Sequence, residues 1–412
     1  MIDGFARTEL PGGLVVLTET MPGIRSASLG VWVRAGSVTE KPEEMGISHL
    51  LEHMVFKGTH RRSAKDLALV LERQGGSLDA YTTREHTSFQ ARVLDTDIDV
   101  ALDVLGDLVL EPVLRSADLD LEREVVLEEI ATVEDTPDDL VFDLHAEQMW
   151  GGHPYGYSIL GTRDTVSAFT ADDLQRVHRE RYHRGNMVIA GAGNVEHARF
   201  VEQVARVFNA RRPDTAPSTN GHRPAAVGPT RELVSRASAQ THIVWGAPTF
   251  GHGDPRRFAL VLLSNAFGGG MSSRLFQRVR EELGLAYAVY AYQSFYADAG
   301  VSGVYVGTRP ESADRAEAVV SEEMAKLAAD GITQEELDDV KGQVKGQIVL
   351  SLESSNARLH RLAGTELYNE PFRSMDEITA LVDAVTVDEV AALAAGIFPP
   401  ERQSILRLGP TH

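Results

Sequence analysis

The apolar positions along this chain recur with two periods. Between Glu43 and Gly58 they are Ile47, Leu50, Leu51, Met54 and Val55, a spacing that forms one stripe on a helix turning about 100° per residue. Asp118 to Glu134 predicts a second, longer helix with Leu121, Val125, Val126, Ile130 and Val133 as its stripe. Short runs rich in Val, Tyr and Thr predict strands at Leu29 to Ala35, Asn186 to Ala192, Thr241 to Ala247 and Gln403 to Leu408. Tyr81 to Leu94 and Tyr292 to Gly307 are also strand-like.

These elements occur twice. Thr170-Ala171-Asp172-Asp173-Leu174 resembles Thr386-Val387-Asp388-Glu389-Val390 at an offset of about 216 residues, and each is followed by a helix-like stretch and an apolar strand. Leu29 to Ala35 resembles Thr241 to Ala247 at a slightly shorter offset. Between the copies, Asn209 to Thr230 is rich in Pro, Gly, Ser, Thr and Asn and has no periodicity, which reads as a linker. The expected architecture is α+β, with two similar domains, each an antiparallel β-sheet packed with α-helices. They span residues 1–208 and 231–412, joined by residues 209–230.

The polar face of the first helix carries candidate chemistry. His49-Leu50-Leu51-Glu52-His53 reads H-x-x-E-H, the inverse of the H-E-x-x-H zinc-peptidase order. Residues four apart share a helix face, so both imidazoles and the carboxylate lie together, opposite the stripe. Two neutral imidazoles suit Zn²⁺, and an open zinc site acidifies a water whose proton a neighbouring carboxylate takes. The plain alternative is a solvated face with surface histidines. At the repeat offset, Ser48-His49 maps to Ser264-Asn265, and Glu52 and His53 map to Gly268 and Gly269. The second copy keeps the helix position and lacks the metal groups.

A catalytic zinc takes three protein ligands. In the helix over Asp118 to Glu134, Glu122 and Glu129 fall within the apolar stripe, whereas Glu124, Glu128 and Glu134 fall away from it. A carboxylate on a buried face is costly unless paired or metal-bound. The pattern therefore leaves two readings for Glu122 and Glu129: metal ligation, or an internal ion pair with Arg or Lys.

Composition narrows the classes. With 412 residues, 43% of them hydrophobic, the chain is long enough for more than one domain. It has no run of about 18 apolar residues for a membrane span, and its first residues lack the basic-then-apolar order of a secretory signal. The absence of cysteine excludes disulfides and thiolate ligands and fits a reducing compartment, so a cytoplasmic location is expected. A formal net charge of −20 argues against nucleic acid as a partner. It favours cationic partners such as basic peptides, or simply solubility.

Four stretches together resemble the pitrilysin/insulinase family of inverted-motif zinc metallopeptidases. They are SHLLEHMVFKGT (Ser48 to Thr59), EREVVLEEI (Glu122 to Ile130), HPYGYSILGT (His153 to Thr162) and GLAYAVYA (Gly284 to Ala291). The likeness is closest to the branch of bacterial zinc peptidases and mitochondrial-processing-peptidase β-subunits. It implies one Zn²⁺ per chain on His49, His53 and Glu129, with Glu52 as general base. Glu122 then stands behind the site and holds a histidine in its ligating tautomer. Asp79, Ala80 and Tyr81 resemble an active-site edge strand that an extended peptide joins as a further strand. Asp79 departs from the family's usual Asn; an ionised Asp only accepts hydrogen bonds.

In the second half, Arg280 and Tyr287 resemble residues that reach the substrate and its reacting carbonyl, and Gly268-Gly269-Gly270 resembles a flexible loop. The resemblance implies a zinc-dependent endopeptidase acting on short or unfolded peptides within a chamber. Each chain would form half of a clamshell, as a homodimer or as a heterodimer with a related chain. A scaffold subunit that had lost catalysis would show a degraded H-x-x-E-H, and this one is intact. A zinc enzyme of another class, such as an amidohydrolase, is the other alternative; chelator-sensitive peptide cleavage separates the two.

Overall fold

The structure, a computed structural model, describes residues 4–208, 224 and 228–410. The linker expected over 209–230 therefore lies largely outside the described residues. The first sheet contains β1 (Phe5–Leu10), β2 (Leu14–Thr20), β3 (Ser26–Val33), β4 (Ser77–Thr82), β5 (Thr87–Leu94) and β6 (Met187–Gly193). The second contains β7 (Arg231–Ser235), β8 (Thr241–Thr249), β9 (Ala286–Phe295), β10 (Gly300–Thr308) and β11 (Ser404–Gly409).

Their strand orders are β1-β2-β6-β3-β5-β4 and β7-β11-β8-β10-β9. Apart from β1, the two orders correspond strand for strand, so the sequence repeat is a repeat of topology. The sheets are mixed rather than wholly antiparallel. β2 with β6, and β7 with β11, are parallel, because the chain returns to the sheet through a long helical crossover, the connection a parallel pair requires. Tyr81 to Leu94 and Tyr292 to Gly307 each contain a strand end, a turn and a second strand, paired antiparallel. The repeated Thr-x-x-Asp/Glu tetrads have a local cause. Thr170 with Asp173, and Thr386 with Glu389, form reciprocal capping boxes at the starts of helices Ala171–Arg181 and Val387–Ile397.

The chain forms two units that do not follow the sequence halves. The first comprises Met1–Ile130, Ser158–Asn220 and Leu350–Phe372; the second comprises Ala131–Tyr157, Gly221–Val349 and Arg373–His412. Contiguous domains at 1–208 and 231–412 would lack this exchange. Its cause is that both sheets bury both faces. In the first sheet, Leu14, Val16, Leu29, Val31 and Val33 point into a core with the helices of their own half. Their alternates Val15, Leu17 and Trp32 face the opposite way, against Leu359, Leu362 and Ala363. The helix Ser355–Leu367 supplies that second layer. In the second unit, Ile243 and Trp245 face one core, while Val244, Leu406 and Leu408 meet Val141 of helix Pro137–Trp150.

The returning helix is also tied by polar groups. Glu366 accepts from Arg7 Nε at 2.9 Å, its carbonyl accepts from Arg34 at 2.8 Å, and Arg358 pairs with the buried Glu19. Among the described residues, no helix is long and apolar enough to cross a membrane.

Leu362→Ala is expected to cost about 2–5 kcal/mol, the usual range for emptying a buried leucine site. Hydrogen exchange should show amide protection lost from β2, β3 and β6 before β8 and β10. Loss confined to β8 and β10 would contradict this assignment of the helix.

Candidate metal centre

The motif helix spans Ile47–Val55 and buries Ile47, Ser48, Leu50, Leu51, Met54 and Val55, as the spacing predicts. His49, Glu52 and His53 are left on the other face. Two features set the start of this helix. Gly46 precedes it at φ 91°, and a Cβ there would lie 2.5 Å from the Leu160 carbonyl oxygen. The buried Glu40 carboxylate accepts from the backbone N–H groups of Gly46 and Ser48, both at 2.8 Å. It thereby satisfies amides that the first turn leaves open. Burial pushes the Glu40 pKa up, opposed by those two hydrogen bonds.

Glu129 arrives from the helix Ser116–Glu134. Its Oε2 lies 3.7 Å from His49 Nε2 and 3.6 Å from His53 Nε2. The three residues offer one ligand atom each, all within 4.8 Å of one another. Tetrahedral zinc with bonds of about 2.0–2.2 Å holds its ligand atoms roughly 3.3–3.6 Å apart, so this donor set fits Zn²⁺. Burial, with a smaller contribution from the neighbouring His53, drives the His49 pKa down to about 3. Its imidazole is therefore neutral at neutral pH, the form that ligates. Among the described residues this is the one such group of three that could hold a metal.

Glu122, two turns before Glu129, is buried. Its Oε2 lies 3.3 Å from His53 Nδ1 and its Oε1 2.5 Å from Lys57 Nζ. A proton on His53 Nδ1, donated to Glu122, leaves Nε2 for a metal. The ion pair that a buried carboxylate calls for is thus present at the same residue. The stripe of this helix is rotated from the expected one. Leu119, Glu122, Val126 and Ile130 are buried, whereas Leu121 and Val125 are 69% and 44% exposed. Apolar spacing alone included them because the glutamate at the centre of the true stripe carries no hydrophobic signal.

Glu52 is partly buried and accepts from Thr82 Oγ1 at 2.6 Å. Burial raises its pKa; the Thr82 bond and His53 pull it back, and Glu129 adds to the rise. Thr82 went unrecognised in the sequence. It ends β4, and only the pairing of β4 with β5 fixes which face its hydroxyl takes.

β4 is an edge strand, partnered by β5 alone, with Asp79 opposite Gln90 and Tyr81 opposite Ser88. Asp79 is exposed and Ala80 partly so. The Tyr81 ring stacks on His360, with centroids 5.9 Å apart, and its hydroxyl accepts from Trp32 Nε1 at 3.3 Å. His360, from the returning helix, is another neighbour that sequence spacing does not reveal.

Arg280 and Tyr287 belong to the second unit. The Arg280 guanidinium lies 4.4 Å over the Tyr287 ring and 4.7 Å over that of Phe276. It sits in the π-helical turn Phe276–Glu282, and Tyr287, on edge strand β9, is 78% exposed. Gly268 closes the helix Arg257–Gly268, where a Cβ would lie 2.3 Å from the Ala291 nitrogen. Close backbone approach, not loop freedom, explains a glycine at that position. Asn265, at the repeat position of His49, donates to its own helix at the Val261 carbonyl, 2.8 Å away.

Two repeated α+β units, the first with an inverted His-Glu-His helix completed by a distal glutamate, define the class of inverted-motif metallopeptidases. Residues 15–163 match the insulinase family (peptidase family M16), and residues 168–344 match the peptidase M16 inactive domain. The chain belongs to this family. It is 41% identical to a zinc protease of Streptomyces coelicolor over 98% of this chain and 89% of that one. It is 42% identical to a zinc protease of Mycobacterium tuberculosis over 98% and 93% of the two chains. For a zinc protease of Bacillus subtilis the identity is 39% over 94% of each. The fold matches a peptidase M16 inactive domain from Pseudomonas fluorescens with a TM-score of 0.93, at 23% identity and over 99% and 98% of the chains. A protease from Helicobacter pylori matches with a TM-score of 0.92, at 21% identity and full coverage of both.

The protein reconstituted with Zn²⁺ and dialysed is expected to retain one metal equivalent per chain. His53→Ala or Glu129→Gln should lose it, and Asn265→Ala should keep it. Elemental analysis checks this, and unchanged metal content in His53→Ala would refute the ligand set.

Proposed function

We propose that this chain is a zinc-dependent endopeptidase. The observation that carries the reading is the convergence of His49 Nε2, His53 Nε2 and Glu129 Oε2 beside the Glu52 carboxylate. The zinc protease names of relatives at 39–42% identity over nearly the whole chain support the metal and the reaction class. Zn²⁺ in this site supplies Lewis acidity, lowering the pKa of a water and polarising the peptide carbonyl.

The remaining work falls to side chains. Glu52 Oε2 is held by Thr82, so Oε1 takes the proton of the attacking water and passes it to the leaving amine. Burial raises the Glu52 pKa in the metal-free site. Glu122 keeps His53 oriented, with Nε2 toward the metal.

The peptide lies extended along β4, whose outer edge has no strand partner and offers main-chain hydrogen bonds. Asp79, Ala80 and Tyr81 line that edge. The exposed Asp79 and the net charge of −20 suit substrates with basic side chains or free donors. In this reading Arg280 and Tyr287 also contact substrate, supported by the exposure of the tyrosine and the cation held over its ring. The substrates are short or unfolded peptides enclosed in a chamber formed by two chains. A homodimer is favoured because one chain carries both the H-x-x-E-H and the Arg/Tyr pair; a heterodimer with a related chain is the alternative, and mass in solution distinguishes them. The lack of cysteine supports a cytoplasmic setting.

Glu52→Gln should keep its zinc and lower kcat/KM on a quenched fluorescent peptide by about 10²–10⁴-fold, the usual span for a general base. Full activity in the zinc-loaded variant would sink the proposal. The pH profile gives a second test. Glu52 acts only when ionised, so the acid limb of kcat/KM follows its protonation. Thr82→Val removes a hydrogen bond that favours the ionised form, so the limb should move to higher pH. A limb that stays in place or moves to lower pH would exclude Glu52 as the titrating base.

A further inference from the structure

We propose that Lys57 is a positioning residue of the metal centre, acting through Glu122 on His53. The inference rests on the zinc reading of the site above. Lys57 lies four residues after His53, just beyond the end of the motif helix at Val55. Its Nζ is 2.5 Å from Glu122 Oε1, while Glu122 Oε2 is 3.3 Å from His53 Nδ1. The two oxygens of one buried carboxylate are thus held from two directions. A carboxylate pinned at both oxygens cannot rotate, so its plane, and with it the ring of His53, is fixed. With Lys57 removed, Oε1 would lose its cation inside the protein, where an unpaired charge is costly.

The lysine is itself held in reach. Its backbone N–H donates to the Met54 carbonyl at 3.2 Å. Its carbonyl accepts from Arg115 Nη2 at 3.0 Å, and Arg115 Nε donates to Asp118 at 2.6 Å. Asp118 belongs to the helix that carries Glu122 and Glu129. The turn after the motif helix is therefore bound to the start of the glutamate helix, and the ammonium lies along that junction. Formal charge points the same way. With zinc bound, two positive charges would face the three carboxylates Glu52, Glu122 and Glu129, and Lys57 supplies the third positive charge.

An ion pair that only stabilised the fold would give the same static picture, so the test reads metal affinity and apo stability separately. Wild type, Lys57→Met, Lys57→Arg and His53→Ala are stripped of metal and titrated with Zn²⁺ against a chromophoric chelator. Thermal midpoints of the apo proteins are measured in parallel. Lys57→Met should bind zinc about ten- to a hundredfold more weakly, the usual effect of losing an outer-shell partner. Its apo midpoint should stay near that of wild type, and Lys57→Arg should recover most of the affinity. Lys57→Gln takes the place of Lys57→Met if the latter does not fold, with the same loss expected. Wild-type affinity in the neutral variant, with or without a lowered apo midpoint, overturns the positioning role. Equal zinc binding by wild type and His53→Ala would instead bring down the zinc reading itself, whatever Lys57 does.

Discussion

A sheet that buries both faces needs a layer of apolar side chains on each side, and most of this architecture follows from that requirement. β2 sends Leu14 and Val16 one way and Val15 and Leu17 the other, and all four are buried. The helices of the same half cover one face. The other is covered by Ser355–Leu367, more than three hundred residues downstream of β2. The second sheet repeats the arrangement with a helix that precedes it in the chain. Burial on both sides leaves the strand edges as the accessible backbone, and β4, beside the metal centre, is one of them.

The metal centre depends on a second constraint, the burial of carboxylates only where partners await them. Glu40 lies beneath the start of the motif helix and is satisfied by that helix's own amides. Glu122 is satisfied by Lys57 and His53. Each links the motif helix to chain outside it, so the same interactions that make burial tolerable also orient the imidazoles. Glu52 differs: a hydrogen bond from Thr82 holds one of its oxygens, and in the proposed mechanism the other takes the proton.

The second unit shows how little of the fold is needed for chemistry. It retains the strand order, the capping boxes and the helix at the motif position, yet Asn265 bonds within its own helix and Gly268 packs against β9. The difference between the two copies lies in a few side chains on one helix face, with the backbone plan shared.

The local pattern of the sequence by itself determined the motif helix, the grouping of His49, Glu52 and His53 on one face, and the doubled topology. Those features follow from periodicity and from residues a few positions apart. It also pointed to Glu122 and Glu129 as carboxylates on a buried stripe, of which Glu122 is buried and Glu129 is 40% exposed, and it misplaced Leu121 and Val125, since a stripe centred on a glutamate has no hydrophobic mark. Tertiary structure alone decided that Thr82 holds Glu52, that Lys57 reaches Glu122, that His360 lies against Tyr81, and that each sheet takes a helix from outside its own contiguous half. It also made one pair of strands in each sheet parallel. These are contacts between residues far apart in the chain, where no period repeats and where pairing register and helix packing set the distances.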